Sequence, residues 1–265
     1  MNTVAPEAGF MVAGTSMPKG RVFRSYLIEA KYTFLSTLRI PAFSIPMLGL
    51  PIFLYLLLGV GIFGSQAGDD PKTAVYLFSG FLVFAISGPG LFGFGVSLAV
   101  ERQYGLLNLK RAQPMPPAAY LMAKMIMAMA CTAIVILLLI PLAVRLGHMQ
   151  VTAGQIANLV LVSMFGVLPF CAIGFLIGTL VSGSAAPGIV NLIFFPMLYL
   201  SGMFFPLPEI LKPWALLWPT FYLNQIAWSA AGVESIINVK ICIALLLGIT
   251  VLFTGLAVHR LARIG

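Results

Sequence analysis

VTAGQIANLVLVSMFGVLPFCAIGFLIGTLVSGSAAPGIVNLIFFPMLYLSGMFFPLP, residues 151–208, runs fifty-eight positions without an Asp, Glu, Lys or Arg. A soluble domain has no room for such a run, because its connecting loops lie at the surface and need polar residues around their backbone groups. A bilayer accommodates it. About 20 apolar residues, each rising about 1.5 Å, cross the hydrocarbon core as a helix. The run therefore reads as two crossings joined by a turn. The turn falls at Ser182-Gly-Ser-Ala-Ala-Pro-Gly188. Small residues there, with a proline that lacks a donor, suit the end of one helix and the start of the next.

Composition agrees. Sixty per cent of the residues are hydrophobic and 8% are charged, whereas soluble domains carry roughly 25% charged residues. The formal net charge is +8. The basic residues gather at span ends, so their expected partner is the anionic cytoplasmic leaflet and no nucleic acid is expected. Cys131, Cys171 and Cys242 all fall inside apolar segments. They read as inert packing residues, neither a disulfide nor a metal set. The first eighteen residues hold no apolar core of signal-peptide length, so no cleaved leader is expected.

Windows poor in charge place six spans, at 40–63, 73–100, 121–144, 155–181, 187–205 and 240–258. Lys and Arg in the short loops orient them. One side holds Lys19, Arg21, Arg24, Lys31, Arg39, Arg102, Lys110, Arg111, Lys124, Arg260 and Arg263. The other holds only Lys72, Arg145, Lys212 and Lys240. Both termini are thus expected in the cytoplasm, as an even number of spans requires. The fold class is an all-α, multi-pass membrane protein with one transmembrane domain over residues 1–265.

Finer features follow. Within the cytoplasmic segment 1–39, Phe23, Leu27, Ala30, Phe34 and Leu38 recur at helical spacing, with Arg21, Arg24 and Lys31 largely off that stripe. This predicts an interfacial amphipathic helix; a plain basic extension of the first span is the alternative. Pro46 and Pro51 should kink the first span. Asp70-Pro71 reads as a cap and first residue of the second. Gly174, Gly178 and Ser182 in the fourth span, and Gly93 and Ser97 in the second, form small-residue ridges. Such ridges suit a close helix crossing, within the subunit or at a dimer interface. Residues 206–232, broken by prolines and carrying Trp214, Trp218, Tyr222 and Trp228, should form a re-entrant hairpin at the outer leaflet. Met122, Met125, Met127 and Met129 read as gap-filling side chains rather than a soft-metal path.

Catalytic groupings are absent from the sequence. His148 and His259 belong near opposite membrane faces, no carboxylate lies deep in a span, and no Gly-x-x-x-x-Gly-Lys-Ser/Thr loop occurs. The chain is expected to bind no metal or cofactor and to hydrolyse no ATP itself. Coupling to protons or sodium is disfavoured, because such carriers usually hold an ionisable residue inside the membrane.

Two segments carry a resemblance. The loop after the second span runs Glu101-Arg-Gln-Tyr-Gly-Leu-Leu-Asn-Leu-Lys-Arg-Ala-Gln-Pro114, then reaches Lys124. The segment after the fifth span opens Leu200-Ser-Gly-Met-Phe-Phe-Pro206 and continues to Pro219. Together they resemble the membrane subunit of ATP-binding-cassette transporters of the type-2 permease family, which includes many bacterial exporters. Glu101, Arg102, Gly105, Leu107, Pro114 and Lys124 match its first pattern. Ser201, Gly202, Phe205, Pro206 and Pro219 match its second. Leu106 stands where the family often has Thr, a residue that can cap a short helix.

The resemblance implies a permease in the bacterial cytoplasmic membrane, paired as a homodimer with two separate ATPase subunits that bind ATP and Mg. A coupling helix at about Gln103 to Ala112 would press into the ATPase. Tyr104 and Leu107 would be its apolar anchors, Glu101, Arg102, Lys110 and Arg111 its charged contacts. Asp at Tyr104 or Leu107 would then uncouple the complex, and Glu101→Ala would be milder. Substrate would pass between the second and fifth spans, near Phe92, Phe94, Asn191, Phe194, Phe195 and Leu198. Phenylalanines with a lone amide suit an amphipathic or hydrophobic cargo, a drug-like molecule or a lipid. A polysaccharide or glycolipid permease, or an assembly or sensing module without transport, are the alternatives.

Overall fold

In a bilayer each segment must satisfy its own backbone groups, and this chain does so with helices throughout. The computed structural model describes residues 19–64, 71–111, 117–202 and 208–264, and no strand occurs among them. The first helix, α1 (Lys19–Leu38), lies along the third span and buries Ala30. Leu27 on the same predicted stripe stays 55% exposed, so only part of the stripe faces protein.

The first span is α2 (Pro41–Leu54), continuing as a wider π-type coil over Tyr55–Gly64. Pro46 and Pro51 lie inside α2. Each lacks the N–H that would bond the carbonyl four residues back. The second span joins α3 (Pro71–Gly88), a π-type coil over Pro89–Val96, and α4 (Ser97–Gln103). Pro71 opens α3 as expected, while Asp70 lies outside the described residues. After the short α5 (Leu106–Arg111), α6 (Pro117–Arg145) makes the third span.

The fourth span is α7 (Ala153–Gly166) and α8 (Leu168–Leu180), stepped at Val167 with Pro169 in the first turn of α8. Thr152 and Gln155 close a reciprocal capping box at its start. The helix at the expected fifth span, α9 (Ala186–Leu200), ends five residues short of the expected 205. Ser201 and Gly202 stop it: Gly202 takes φ +68, the left-handed conformation that closes helices, and its N–H reaches the Tyr199 carbonyl at 3.1 Å. At 15 residues α9 is shorter than the five described helices that are long and apolar enough to cross a membrane.

The segment expected to be re-entrant comprises α10 (Lys212–Ala215) and α11 (Pro219–Ala230). Phe205 and Pro206 lie outside the described residues; Pro219 is the first residue of α11. Helix α11 is buried against α3, α7 and the last span, α12 (Val239–Ile264). Thr220 Oγ1 donates to the Met197 carbonyl at 3.0 Å, which pins α11 to α9. The Tyr76 hydroxyl donates to the Gly202 carbonyl at 2.6 Å, tying the end of α9 back to the second span.

The second span is the axis of the bundle. Its most apolar stretch is 78% buried, against 17% for the first and the last. It crosses α8 backbone to backbone. A Cβ on Gly95 would lie 2.8 Å from the Gly174 Cα, one on Gly174 2.6 Å from the Gly90 oxygen, and one on Gly178 2.8 Å from the Gly95 oxygen. The predicted ridge of Gly174 and Gly178 therefore serves a crossing within the subunit. Its partners are Gly90 and Gly95; the expected Gly93 faces Met127 at ordinary contact distance, and Ser182 is exposed. Cys131, Cys171 and Cys242 are buried and unpaired, and no metal-binding group of His, Cys, Asp or Glu occurs among the described residues.

Candidate functional site

The root of the loop between the second and third spans is held from two sides. Successive helical residues point about 100° apart, so neighbours on α4 reach different partners. Glu101 turns toward the third span. Its Oε1 accepts from Lys124 Nζ at 2.9 Å, its Oε2 accepts from the Tyr120 hydroxyl, and Lys124 also donates to Ser97 Oγ at 2.6 Å. Lys124 is only 2% exposed. An ammonium taken so far from water is costly unless paired, and these three groups supply the pairing.

Arg102 turns the other way. Its guanidinium donates to the Thr179 carbonyl, and through Nη2 to the Val181 carbonyl at 2.6 Å. Those are the unpaired carbonyls at the C-terminus of α8, where a cation also meets the negative end of the helix dipole. Gln103 adds a third tie, its Oε1 accepting from the Ser184 N–H at 3.0 Å. Arg260 of α12 donates to the same Thr179 oxygen at 3.4 Å. The ends of the second, fourth and last spans thus meet at one end of the bundle. Glu101 and Arg102, expected to face outward, are engaged within the chain.

What faces outward is the loop beyond them. Tyr104 is 73% exposed, and Gly105 at φ +71 breaks the helix there, so α5 begins at Leu106 and not at Gln103. Leu107 turns inward onto the core, while Leu106 and Leu109 are exposed. Lys110 and Arg111 are the last two residues of α5. The apolar face offered outward is therefore Tyr104, Leu106 and Leu109. Reading the helical register from Gly105 would have found the two leucines, three residues apart.

A second feature lies in the membrane portion. A cleft of about 280 Å³ opens between the first span, the second span and α9. Phe92, Asn191, Phe194 and Phe195 line it, together with Phe84 and Gly88. Pro46, Met47, Leu50 and Pro51 form the wall from the first span, which the sequence reading had left out. Phe194 is its hub: the Phe84, Phe92 and Phe195 rings sit 5.6, 5.4 and 5.8 Å from it, centroid to centroid. Phe94 and Leu198 are elsewhere. Both are buried, and Phe94 packs on Phe175 of α8.

The family profile described as ABC-2 type transporter matches residues 24–238. The chain belongs to that family. The ABC-2 match takes in the loop, the cleft and the hairpin alike. A Bacillus subtilis (strain 168) protein carrying the provisional name transport permease YvfS is 24% identical over 182 residues, covering 68% of this chain and 74% of the relative. As an ABC-2 permease the chain is a multi-pass transmembrane component of an ABC transporter. Its family implies an ATPase partner, and the family's membrane components are generally not catalytic.

Proposed function

We propose that this permease is the transmembrane subunit of an exporter that moves an amphipathic or hydrophobic molecule out of the cytoplasm or inner leaflet. The observation that carries this reading is the cleft. Its walls are aromatic and aliphatic, Asn191 supplies a single amide, and the first span, the second span and α9 border it. A cargo already dissolved in lipid can reach such a site without crossing water. The small volume fits half of a pathway, completed by a second copy of the chain across the exposed side formed by Ile45, Leu192 and Phe195.

In this reading Tyr104, Leu106 and Leu109 dock on the ATP-binding-cassette partner, and α5 is the coupling helix. Two permeases and two ATPases form the complex, in the bacterial cytoplasmic membrane, with both termini inside. ATP and Mg bind the partner alone. Exposed Arg24, Lys31 and Arg39 on and just after α1 would then face anionic headgroups.

The experiment is substrate-stimulated ATP hydrolysis by the reconstituted complex, screened with amphipathic dyes and with a soluble oligosaccharide. Stimulation by dyes that Phe194→Ala and Asn191→Leu abolish supports the reading. Stimulation by the oligosaccharide alone would overturn the cargo class, and no stimulation by any compound would favour a module without transport.

A further inference from the structure

We infer that Arg102, helped by Gln103, is the positioning residue that carries displacement of the loop helix to the start of α9, and so to the cleft. The inference rests on the proposed docking of α5 and goes beyond it, because it names the route.

Helix α9 supplies the cleft with Asn191, Phe194 and Phe195. It is joined to α8 only by the turn over 181–185, since α8 ends at Leu180 and α9 begins at Ala186. That turn is held by the loop root. Arg102 grips the Val181 carbonyl at its start, and Gln103 accepts from Ser184 near its end. The fit is close: a Cβ on Gly183, between them, would lie 2.7 Å from the Val100 Cα. Two residues beyond Arg102, the chain emerges at exposed Tyr104 and enters α5. Only Gln103, Tyr104 and Gly105 separate Arg102 from α5, so a push on α5 falls close to the turn that leads into α9. Thr179 makes the junction three-way, because its carbonyl accepts from both Arg102 and Arg260 of the last span.

A planar guanidinium suits this task. Its fork of donors spans two carbonyls at fixed geometry, which a lysine ammonium on a flexible stem does not reproduce. A change in α9 that depends on Arg102 is the signature of this route.

The test uses the full permease–ATPase complex carrying Gly188→Cys, an exposed position in the first turn of α9 where an added side chain meets nothing within 4 Å. Its thiol-labelling rate is compared between the nucleotide-free and the ATP–vanadate-trapped complex. Leu109→Cys, in a separate sample, reports docking by its protection. Trapping should change the Gly188→Cys rate by about fivefold or more. Arg102→Ala should abolish that change while Leu109→Cys stays protected, and Arg102→Lys should restore part of it. If Arg102→Ala does not accumulate, Arg102→Lys and Gln103→Ala decide, each expected to reduce the response. An undiminished response in these variants overturns the inference and leaves the docking reading intact. So does a parental complex in which Leu109→Cys is protected but Gly188→Cys does not respond. Loss of both protection and response in the parent removes the docking reading, and this inference with it.

Discussion

Lys124 Nζ lies 2.9 Å from Glu101 Oε1, twenty-three residues away in sequence, and this pair fastens the third span to the C-terminal end of the second. The lysine side chain is 3% exposed and the glutamate side chain 27%. Removing the carboxylate strands a buried cation. Glu101→Ala is therefore expected to destabilise the permease by about 3–5 kcal/mol, and Glu101→Leu combined with Lys124→Met by much less. Thermal unfolding of the detergent-purified chain, run as a double-mutant cycle, measures both. Equal losses for the single and double variants would deny the pair its structural weight. This reverses the expectation from sequence that Glu101→Ala is the mild member of the loop series.

Leu109→Asp and Leu106→Asp address the outward face of α5. Both side chains are exposed in the isolated chain, so membrane insertion and thermal stability should stay near the parent. Capture of the ATPase subunit should fall by about 2–4 kcal/mol in binding free energy, the usual cost at an interface hot spot. Leu107→Asp is expected to behave differently: its side chain packs inward, so stability should drop along with capture. Fractionation of membranes and pull-down from the same preparations separate the two effects.

Gly174→Ala tests the backbone crossing. The new Cβ would sit 2.6 Å from the Gly90 oxygen, closer than real Cβ contacts allow, and neither backbone has a side chain to rotate away. A loss of about 1–3 kcal/mol is expected. Gly248→Ala in α12 is the control, since its Cβ meets nothing within 4 Å. It should be neutral or stabilising by up to about 1 kcal/mol. Melting temperatures of the two variants should move apart; a parallel shift would speak against a tight crossing.

Orientation is open to direct chemistry. Gln150→Cys, in the exposed loop between α6 and α7, should react with an impermeant thiol reagent applied to intact cells. Ser184→Cys, in the turn before α9, should react only after the membrane is opened. The opposite pattern would invert the permease.

Much of this architecture was legible because bilayer thickness acts on composition alone. Fifty-eight positions without Asp, Glu, Lys or Arg belong in a bilayer whatever their packing. Pro71 and Pro219 mark helix starts for a purely local reason, the missing donor. Gly174 and Gly178 announced a close crossing by their spacing. Less legible was anything set by a partner far along the chain. Nothing near Glu101 says that Lys124 will meet it, or that Arg102, one residue on, will find carbonyls at 179 and 181. The end of α9 at Leu200 depended on the left-handed conformation of Gly202, which the flanking apolar residues concealed. In the cleft, Phe92 and Phe94 looked alike in sequence. Residues two positions apart along a helical coil point to roughly opposite sides, and only Phe92 faces the opening.

The glycine crossing also has a consequence for how the molecule changes shape. Where backbone lies on backbone, no rotamer change can absorb sliding, so the second span and α8 must travel as a single rigid body. Relative motion is left to seams lined by side chains. The first span and α9 border such seams, and both are walls of the cleft. A locked keel with two hinged flanks would widen or close the cleft without disturbing the centre of the bundle.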